Sequence, residues 1–420
     1  MTFDQSAAEV HAPPALAPEL VAAWQAGGGP VVELLEEVRA LGPVARVPFG
    51  AANAVLVSLP EAVHHVLALH PDRYVKRSHR LAPLLGDGVL TASGEAWRTQ
   101  RRLLQRHFTG QGIRRYDQAI ADAAERTARL WNDAARSGEV RDIAADLRFY
   151  SLDVIWRCLT GHAVTPETYD ELRAVDTVLA SLPVVPRPGD APPDLSADVA
   201  RIDAVVERVI ADARNAPGGP ALLHVLLDAE HAHHYTERLI RDELVTLLFA
   251  GHETTASTLA WLYLLLDAHP DRRAWALDRK SDGVQALVSE TLRLYPVAWL
   301  MPRHALEDDV LAGYRVDAGD LILTSPYFTH RDPSLWPDPD AFRPERFLDA
   351  DRRPAGHGTY YPFGLGPRAC LGAQFALREA GVLLERLLPA FVPRLHDRPG
   401  PAFDITVHPD GPVRATIQRA

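Results

Sequence analysis

Apolar residues recur at helical spacing over most of this chain and alternate only in short stretches. Residues 61–182 read as mostly helical, with Pro or Gly at the joints and a 3.6-residue apolar period in Ala119, Ile120, Ala123, Thr127, Leu130 and Trp131. Long helices are predicted over 235–268 and 281–295, and another over 375–384. Period-two runs are few: 44–47 and 54–57 flank Gly50 and Asn53 as a hairpin, and 310–311 and 321–324 neighbour the turn residues Gly313 and Gly319. The breaker clusters 183–193 and 215–220 read as loops, and Pro333, Pro337, Pro339, Pro344 and Pro354 mark an irregular connector. The predicted class is mainly α with small β-sheets. Residues 1–30 read as a polar, Pro/Ala-rich leader and 31–420 as a single domain, because candidate sites near 97, 253, 290 and 370 must meet and a split at either loop separates them.

Composition narrows the function classes. Hydrophobic residues make up 47% and charged residues 24% of 420, which supplies a large core and excludes wholesale disorder. A net charge of −11 argues against general nucleic-acid binding, which normally needs a basic excess. The two cysteines, Cys158 and Cys370, make no disulfide framework and suit a reducing cytosol, so a cytoplasmic location is expected. The N-terminus lacks a basic segment followed by an apolar one, and the most apolar stretch, 244–266, is interrupted by His252 and Glu253. A soluble monomer without membrane attachment is the expectation.

The chemistry concentrates on Cys370, in the run Phe363-Gly364-Leu365-Gly366-Pro367-Arg368-Ala369-Cys370-Leu371-Gly372. Glycines allow the backbone close to a flat ring, and the helix predicted downstream offers its positive dipole end to the sulfur, which favours the thiolate. A lone thiolate on one side of a haem iron favours O–O cleavage on the other. Within the long helix, Ala250-Gly251-His252-Glu253-Thr254-Thr255 sets an acid beside a hydroxyl in apolar surroundings, a costly placement unless the groups are paired or used. A mid-helix threonine also bonds its own i−4 carbonyl without any chemistry. Glu290 and Arg293 share a helix face at i,i+3, and Trp97 and Arg101 share one at i,i+4, offering an indole N–H and a guanidinium fork.

The pattern F-x-x-G-x-R-x-C-x-G resembles the haem-binding loop of the cytochrome P450 family, and all five fixed positions are met. By background composition such a match arises by accident about once in ten thousand chains of this length. The segment 250–254 is similar to the family's oxygen-binding motif, and Glu290-x-x-Arg293 with Pro344-Glu345-Arg346-Phe347 is similar to its E-x-x-R pair and P-E-R-F segment, all in family order. The likeness is strongest from about residue 241 onward; over 110–235 it is only a general helical pattern.

The resemblance implies the P450 fold, a mainly α triangular prism with small β-sheets, and haem b (iron protoporphyrin IX) as cofactor. Cys370 becomes the axial iron ligand. Phe363, Gly364, Gly372, Ala250 and Gly251 line the haem, and Trp97, Arg101, Arg303 and Arg368 meet its propionates. Glu253 and Thr254 handle protons, while Glu290, Arg293 and Arg346 form a structural network. The implied reaction reduces dioxygen, releases one atom as water and inserts the other into a C–H or double bond of a largely apolar small molecule, in secondary metabolism. Substrate contacts are expected from Leu84, Val89, Leu90, Leu247, Val297, Ala298 and Leu300, and the pocket is expected to draw on Leu81, Leu85, Ala250 and Trp299 as well. Electrons come from a separate ferredoxin and an NAD(P)H-dependent ferredoxin reductase, docked through the basic cluster Arg98, Arg102 and Arg106; residues 183–193 fall where a lid closes. Oxidative radical coupling, peroxide-driven chemistry and a haem sensor without turnover stay open, although the Glu253/Thr254 pair argues against dedicated peroxide use.

Overall fold

The computed structural model describes residues 10–49, 52–76, 81–182, 193–216, 218–219, 221–232, 235–348 and 357–420. The expected lid segment 183–193 therefore lies outside the described residues except for Pro193, and so do the hairpin's Gly50, Pro354 and the first nine residues of the leader. Helices dominate. The longest, Glu237–Ala268, runs through the middle of the largest core cluster, packed by Ile143–Thr160, Ser196–Asn215, Lys280–Leu294 and Ala373–Leu387. Its N-cap Thr236 accepts the Leu239 N–H at 3.1 Å, which places the helix start where the polar-to-apolar change predicts it. Among the described residues no helix is long and apolar enough to cross a membrane.

The sheets are small. A five-stranded one runs Val44–Phe49, Ala52–Val57, Leu321–Thr324, Met301–Ala305, Tyr74–Val75, with one parallel pairing between the second and third. Alternation gives it two covered faces: Ala45, Val47, Leu56 and Leu323 pack into one cluster, and Val44, Val55, Val57 and Ile322 into another. A three-stranded sheet orders Val140–Asp142, Arg414–Arg419, Phe391–Leu395, and two hairpins complete the set. The first sheet joins residues 44–75 to 301–324, so the two halves of the sequence meet at its centre.

Two expectations need correction. The leader does not end the fold at residue 31: Pro18–Gly27 is a helix, Leu16 and Val21 are buried in the second cluster, and the Arg46 N–H donates to the Pro14 carbonyl at 2.8 Å. Proline and alanine there serve a helix start and close packing. The stretch 61–182 is also less uniform than its period implies, since it contains a π-helical turn, His65–Leu69, and the short strands Tyr74–Val75 and Val140–Asp142. Tyr74 is buried because its hydroxyl donates to Asp309 at 3.0 Å across the sheet edge, a partner no local pattern reveals.

Candidate active site

Cys370 sits at the end of a tight loop and just before the helix Ala373–Leu387. Its N–H donates to the Phe363 carbonyl at 2.7 Å, closing the loop on itself. Gly364 and Gly366 take left-handed backbone at φ 72° and 67°, and a side chain at Gly366 would collide with the Leu67 carbonyl, so this loop requires both. Cys370 is uncovered, yet protein hems in the sulfur closely enough that burial raises the thiol above its ordinary range. Three opposing influences favour the thiolate: the Gly372 N–H bonding to sulfur, and the positive charges of Arg101 and Lys76. The helix-end position is as expected, but desolvation outweighs it in the protein alone.

Positive charge converges on this sulfur. Arg101 and Trp97 come from Gly94–Gln105, Arg303 from the strand Met301–Ala305, Arg368 from the cysteine loop and Lys76 from the end of the short sheet-edge strand. Arg368 stacks over the Trp97 ring at 4.0 Å. Burial, together with mutual repulsion, lowers Arg303 and Arg368 to about 10 and Lys76 to about 7. Among the described residues none of the four cations has a carboxylate partner, and Arg303 donates only to the neighbouring Pro302 carbonyl at 2.8 Å. Such a cluster fits a dianionic ring whose two carboxylates face it. Lys76 was not anticipated as a binding residue; its one signal in the sequence is that it and Lys280 are the only lysines.

The central helix is buried from 240 to 260 except at Ala250, which is exposed, and Gly251 and Thr254, which are partly so. This opening is where a flat ligand and a small molecule above it can reach the backbone. The Thr254 hydroxyl donates to the Ala250 carbonyl at 2.9 Å, the i−4 bond that by itself needs no chemistry, and Ser257 donates to Glu253 at 2.7 Å. Gly251 packs closely on its neighbour: a Cβ there would lie 2.9 Å from the Ile155 side chain, which would have to shift.

The loop before Gly94–Gln105 is clamped to the same helix by three consecutive side chains. Arg241 donates to the Leu84 carbonyl at 2.6 Å, Asp242 accepts the Asp87 N–H at 2.9 Å, and Glu243 accepts the Val89 N–H at 3.0 Å. A side chain on Gly86 or Gly88 would strike Asp242 or Thr246. Burial raises Glu243 to about 7. Of the expected substrate contacts, Leu90, Ala298 and Leu300 keep exposed surface, and Val89, Leu247 and Val297 are nearly buried. Leu84, Leu85 and Trp299, expected in the pocket, are instead fully buried: Leu84 and Leu85 pack in the main core, and Trp299 packs against Phe403 with its indole N–H on the Asp404 carbonyl. Along this segment Ala298 is exposed, Trp299 buried and Leu300 partly exposed.

Glu290 and Arg293 are both fully buried and form a bidentate pair at 2.7 and 2.8 Å. Arg293 also donates to the carbonyls of His330, Pro339 and Ala341, and the Arg343 N–H donates to Glu290 at 2.8 Å. Arg346 stands 3.5 Å from Glu290, an ion pair without a hydrogen bond, and instead donates to the Asp338 carbonyl at 2.8 Å. The network thus stitches the connector 330–346 to the helix Lys280–Leu294. Of the basic cluster, Arg98 is answered by Asp72 and Glu95, while Arg102 and Arg106 are exposed.

Similarity to known proteins covers nearly the whole chain. The chain is 30% identical over 403 residues to a cyclooctat-9-en-7-ol 5-monooxygenase of Streptomyces melanosporofaciens, covering 88% of this chain and 86% of that protein. It is 29% identical to the same organism's cyclooctatin synthase, with 91% and 90% covered. The crystal structure of CYP175A1 from Thermus thermophillus superposes with a TM-score of 0.78 at 31% identity, covering 97% of this chain and all of that one. The P450DA heme domain matches in fold, with a TM-score of 0.85 at 24% identity over 98% of both chains. The family model described as cytochrome P450 matches residues 12–274 and 283–410, and with the cysteine loop, the buried Glu290–Arg293 pair and the Ala250 opening in place, the chain belongs to the cytochrome P450 family.

Proposed function

We propose that this P450 monooxygenase holds haem b between Cys370 and the Ala250–Gly251 opening and hydroxylates or epoxidises a largely apolar small molecule in secondary metabolism. The observation that carries this reading is the convergence of Lys76, Arg101, Arg303 and Arg368 on the side of Cys370 with no carboxylate among the described residues to neutralise them. Haem, when bound, supplies dioxygen reduction and oxygen insertion. The protein supplies position and protons. Cys370 ligates iron; Arg101, Arg303, Arg368, Lys76 and the Trp97 N–H receive the propionates; Phe363, Gly364 and Gly372 shape the sulfur side. Glu253 and Thr254 pass protons across the opening, the threonine hydroxyl turning away from Ala250 to do so. Leu90, Ala298 and Leu300, with Val89, Leu247 and Val297 behind them, present an apolar wall that favours an uncharged substrate. The relatives named for cyclooctat-9-en-7-ol and cyclooctatin support that class.

Electrons come from a separate ferredoxin and its NAD(P)H-dependent reductase, steered to the exposed Arg102 and Arg106 beside the cysteine loop. The protein works as a monomer in the cytoplasm. The test is spectroscopic and then catalytic. Reduced protein under carbon monoxide shows the absorption band of sulfur-ligated haem, Cys370→Ser loses it, and uncharged apolar compounds displace the water ligand in optical titration. With surrogate ferredoxin and reductase, a compound that binds accelerates oxygen consumption and appears as an oxygenated product. Binding without accelerated consumption overturns the enzymatic reading in favour of a sensor.

A further inference from the structure

Where the helices Ile143–Thr160, Glu237–Ala268 and Ala373–Leu387 meet, a carboxyl group is sealed among hydroxyls. Glu379 is 1% exposed. Its Oε1 lies 2.9 Å from the Ser151 Oγ and its Oε2 accepts the Thr255 hydroxyl at 3.0 Å. Ser151 makes a second contact, 3.1 Å to the carbonyl oxygen of Gly251, the residue beside Ala250 at the helix opening.

Counting hydrogens identifies the state of the acid. A carbonyl oxygen only accepts, and a serine hydroxyl carries one hydrogen. If Ser151 donates to Gly251, its contact with Glu379 is a hydrogen bond only when the carboxyl is protonated and donates. If Ser151 donates to a carboxylate, its lone pairs are left against a carbonyl oxygen at 3.1 Å. The surroundings favour the first arrangement. Among the described residues no cation influences the carboxyl, and burial raises it to about 8. Of the titratable groups facing it, Tyr150 donates to the Glu379 carbonyl at 2.9 Å, and both Tyr150 and Cys158 are kept neutral by burial. Charges on the other packed elements are engaged elsewhere: Asp117 and Glu125 pair with Arg378 and Arg386, Glu253 accepts from Ser257, and Arg273 donates to the Leu388 carbonyl.

We propose that Glu379 is a neutral, protonated acid that acts through Ser151 as a positioning residue, holding the Gly251 carbonyl and with it the turn that presents Ala250, Glu253 and Thr254 to the haem side. The inference rests on the monooxygenase reading for its effect on turnover, but not for the protonation of Glu379. Ionising Glu379 takes the hydrogen out of the chain and frees the turn.

The variants are Glu379→Gln, Glu379→Ala and Ser151→Ala, each as holoenzyme with surrogate ferredoxin and reductase and β-ionone as an uncharged apolar probe. The glutamine amide reproduces the neutral acid's pattern, donating to Ser151 and accepting from Thr255. E379Q therefore couples electron use to product like the parent. It also stays level from pH 7 to 9, where the parent leaks progressively more peroxide. E379A and S151A leak about fivefold more peroxide at every pH, the factor equivalent to one neutral hydrogen bond. Independently of turnover, the infrared spectrum of the parent at pH 7 contains an un-ionised carboxyl band that shifts in D2O and is missing in E379Q. The proposal is overturned if that band is absent, or if E379Q leaks as E379A does while both keep the sulfur-haem band. Should E379A fail to fold, E379Q, S151A and the infrared band decide. Loss of the sulfur-haem band in the parent defeats the monooxygenase reading and leaves the infrared result standing.

Discussion

The guanidinium of Arg368, two residues before Cys370, lies over the Trp97 ring with its central carbon 4.0 Å from the ring centre. One contact therefore ties the helix Gly94–Gln105 to the cysteine loop and joins two groups proposed to meet the propionates. Replacing Trp97 by Ala removes both the stacking face and the indole N–H, and haem retention is expected to fall about tenfold, within the range of a partly buried cation–π contact plus one hydrogen bond. Trp97→Phe keeps the face and falls less. Haem-to-protein ratios after dialysis against apomyoglobin measure both, and equal retention in W97A and the parent contradicts the assignment.

The Glu290–Arg293 pair is expected to behave as a structural bond. Removing either partner orphans a buried charge at a cost of about 3–5 kcal/mol, read as a lowered denaturant midpoint. Arg293→Lys is expected to be nearly as damaging as Arg293→Ala, because a single ammonium cannot serve Glu290 and three carbonyls together. A midpoint within error of the parent in R293K would count against the network.

Thr254→Ala deletes a hydroxyl that bonds only within its own helix. Stability and optical substrate binding are expected to hold, while most reducing equivalents are diverted to peroxide. Unchanged product per NAD(P)H shows that the i−4 bond is the hydroxyl's whole role.

Stability should be greatest on the acid side of neutrality. Glu379 and Glu243, raised from 4.5 to about 8 and about 7, keep protons in the folded state that the unfolded chain releases. Stability therefore falls as pH rises from about 4.5 towards 8, by several kcal/mol. His107, lowered to about 4 by burial and by Arg115 and Arg106, contributes the opposite slope: its stabilisation is complete above 6.5 and lost as pH falls towards 4. With these three groups the maximum is expected at about pH 4–5, and E379Q should shift it upward. Denaturation midpoints from pH 4.5 to 7 decide, below the range in which Lys76, lowered to about 7, adds the opposite slope, and midpoints that rise across that window in the parent contradict the two raised carboxyls.

The clamp on the 84–89 loop fixes the segment that carries one wall of the proposed substrate space. Gly88→Ala places a Cβ against Thr246 and the Asp242 carbonyl, so the loop must lift, and apolar ligands are expected to bind about tenfold more weakly with the sulfur-haem band unchanged, a loss equal to roughly 1.4 kcal/mol. Optical titration of G88A against the parent checks this, and equal affinity shows the clamp does not shape the pocket.

Much of this protein was legible without coordinates. The mainly α class, the central helix and the hairpin follow from apolar periodicity, which is a local property of the chain. The cysteine loop, the Glu253–Thr254 step and the Glu290–Arg293 pair are legible because their parts lie within one turn or loop, where spacing maps directly onto geometry. Tertiary structure decided whatever depends on residues distant in sequence. Lys76 joins Arg101, Arg303 and Arg368 only because a sheet edge, a helix, a strand and a loop converge. Glu379 looks like an ordinary helix-surface acid until Ser151 and Thr255 arrive from two other helices. Leu84 and Trp299 look like pocket residues until packing turns them into the core. Periodicity records which way a side chain points relative to its own element; burial, charge state and partnership depend on what the other elements bring to that side.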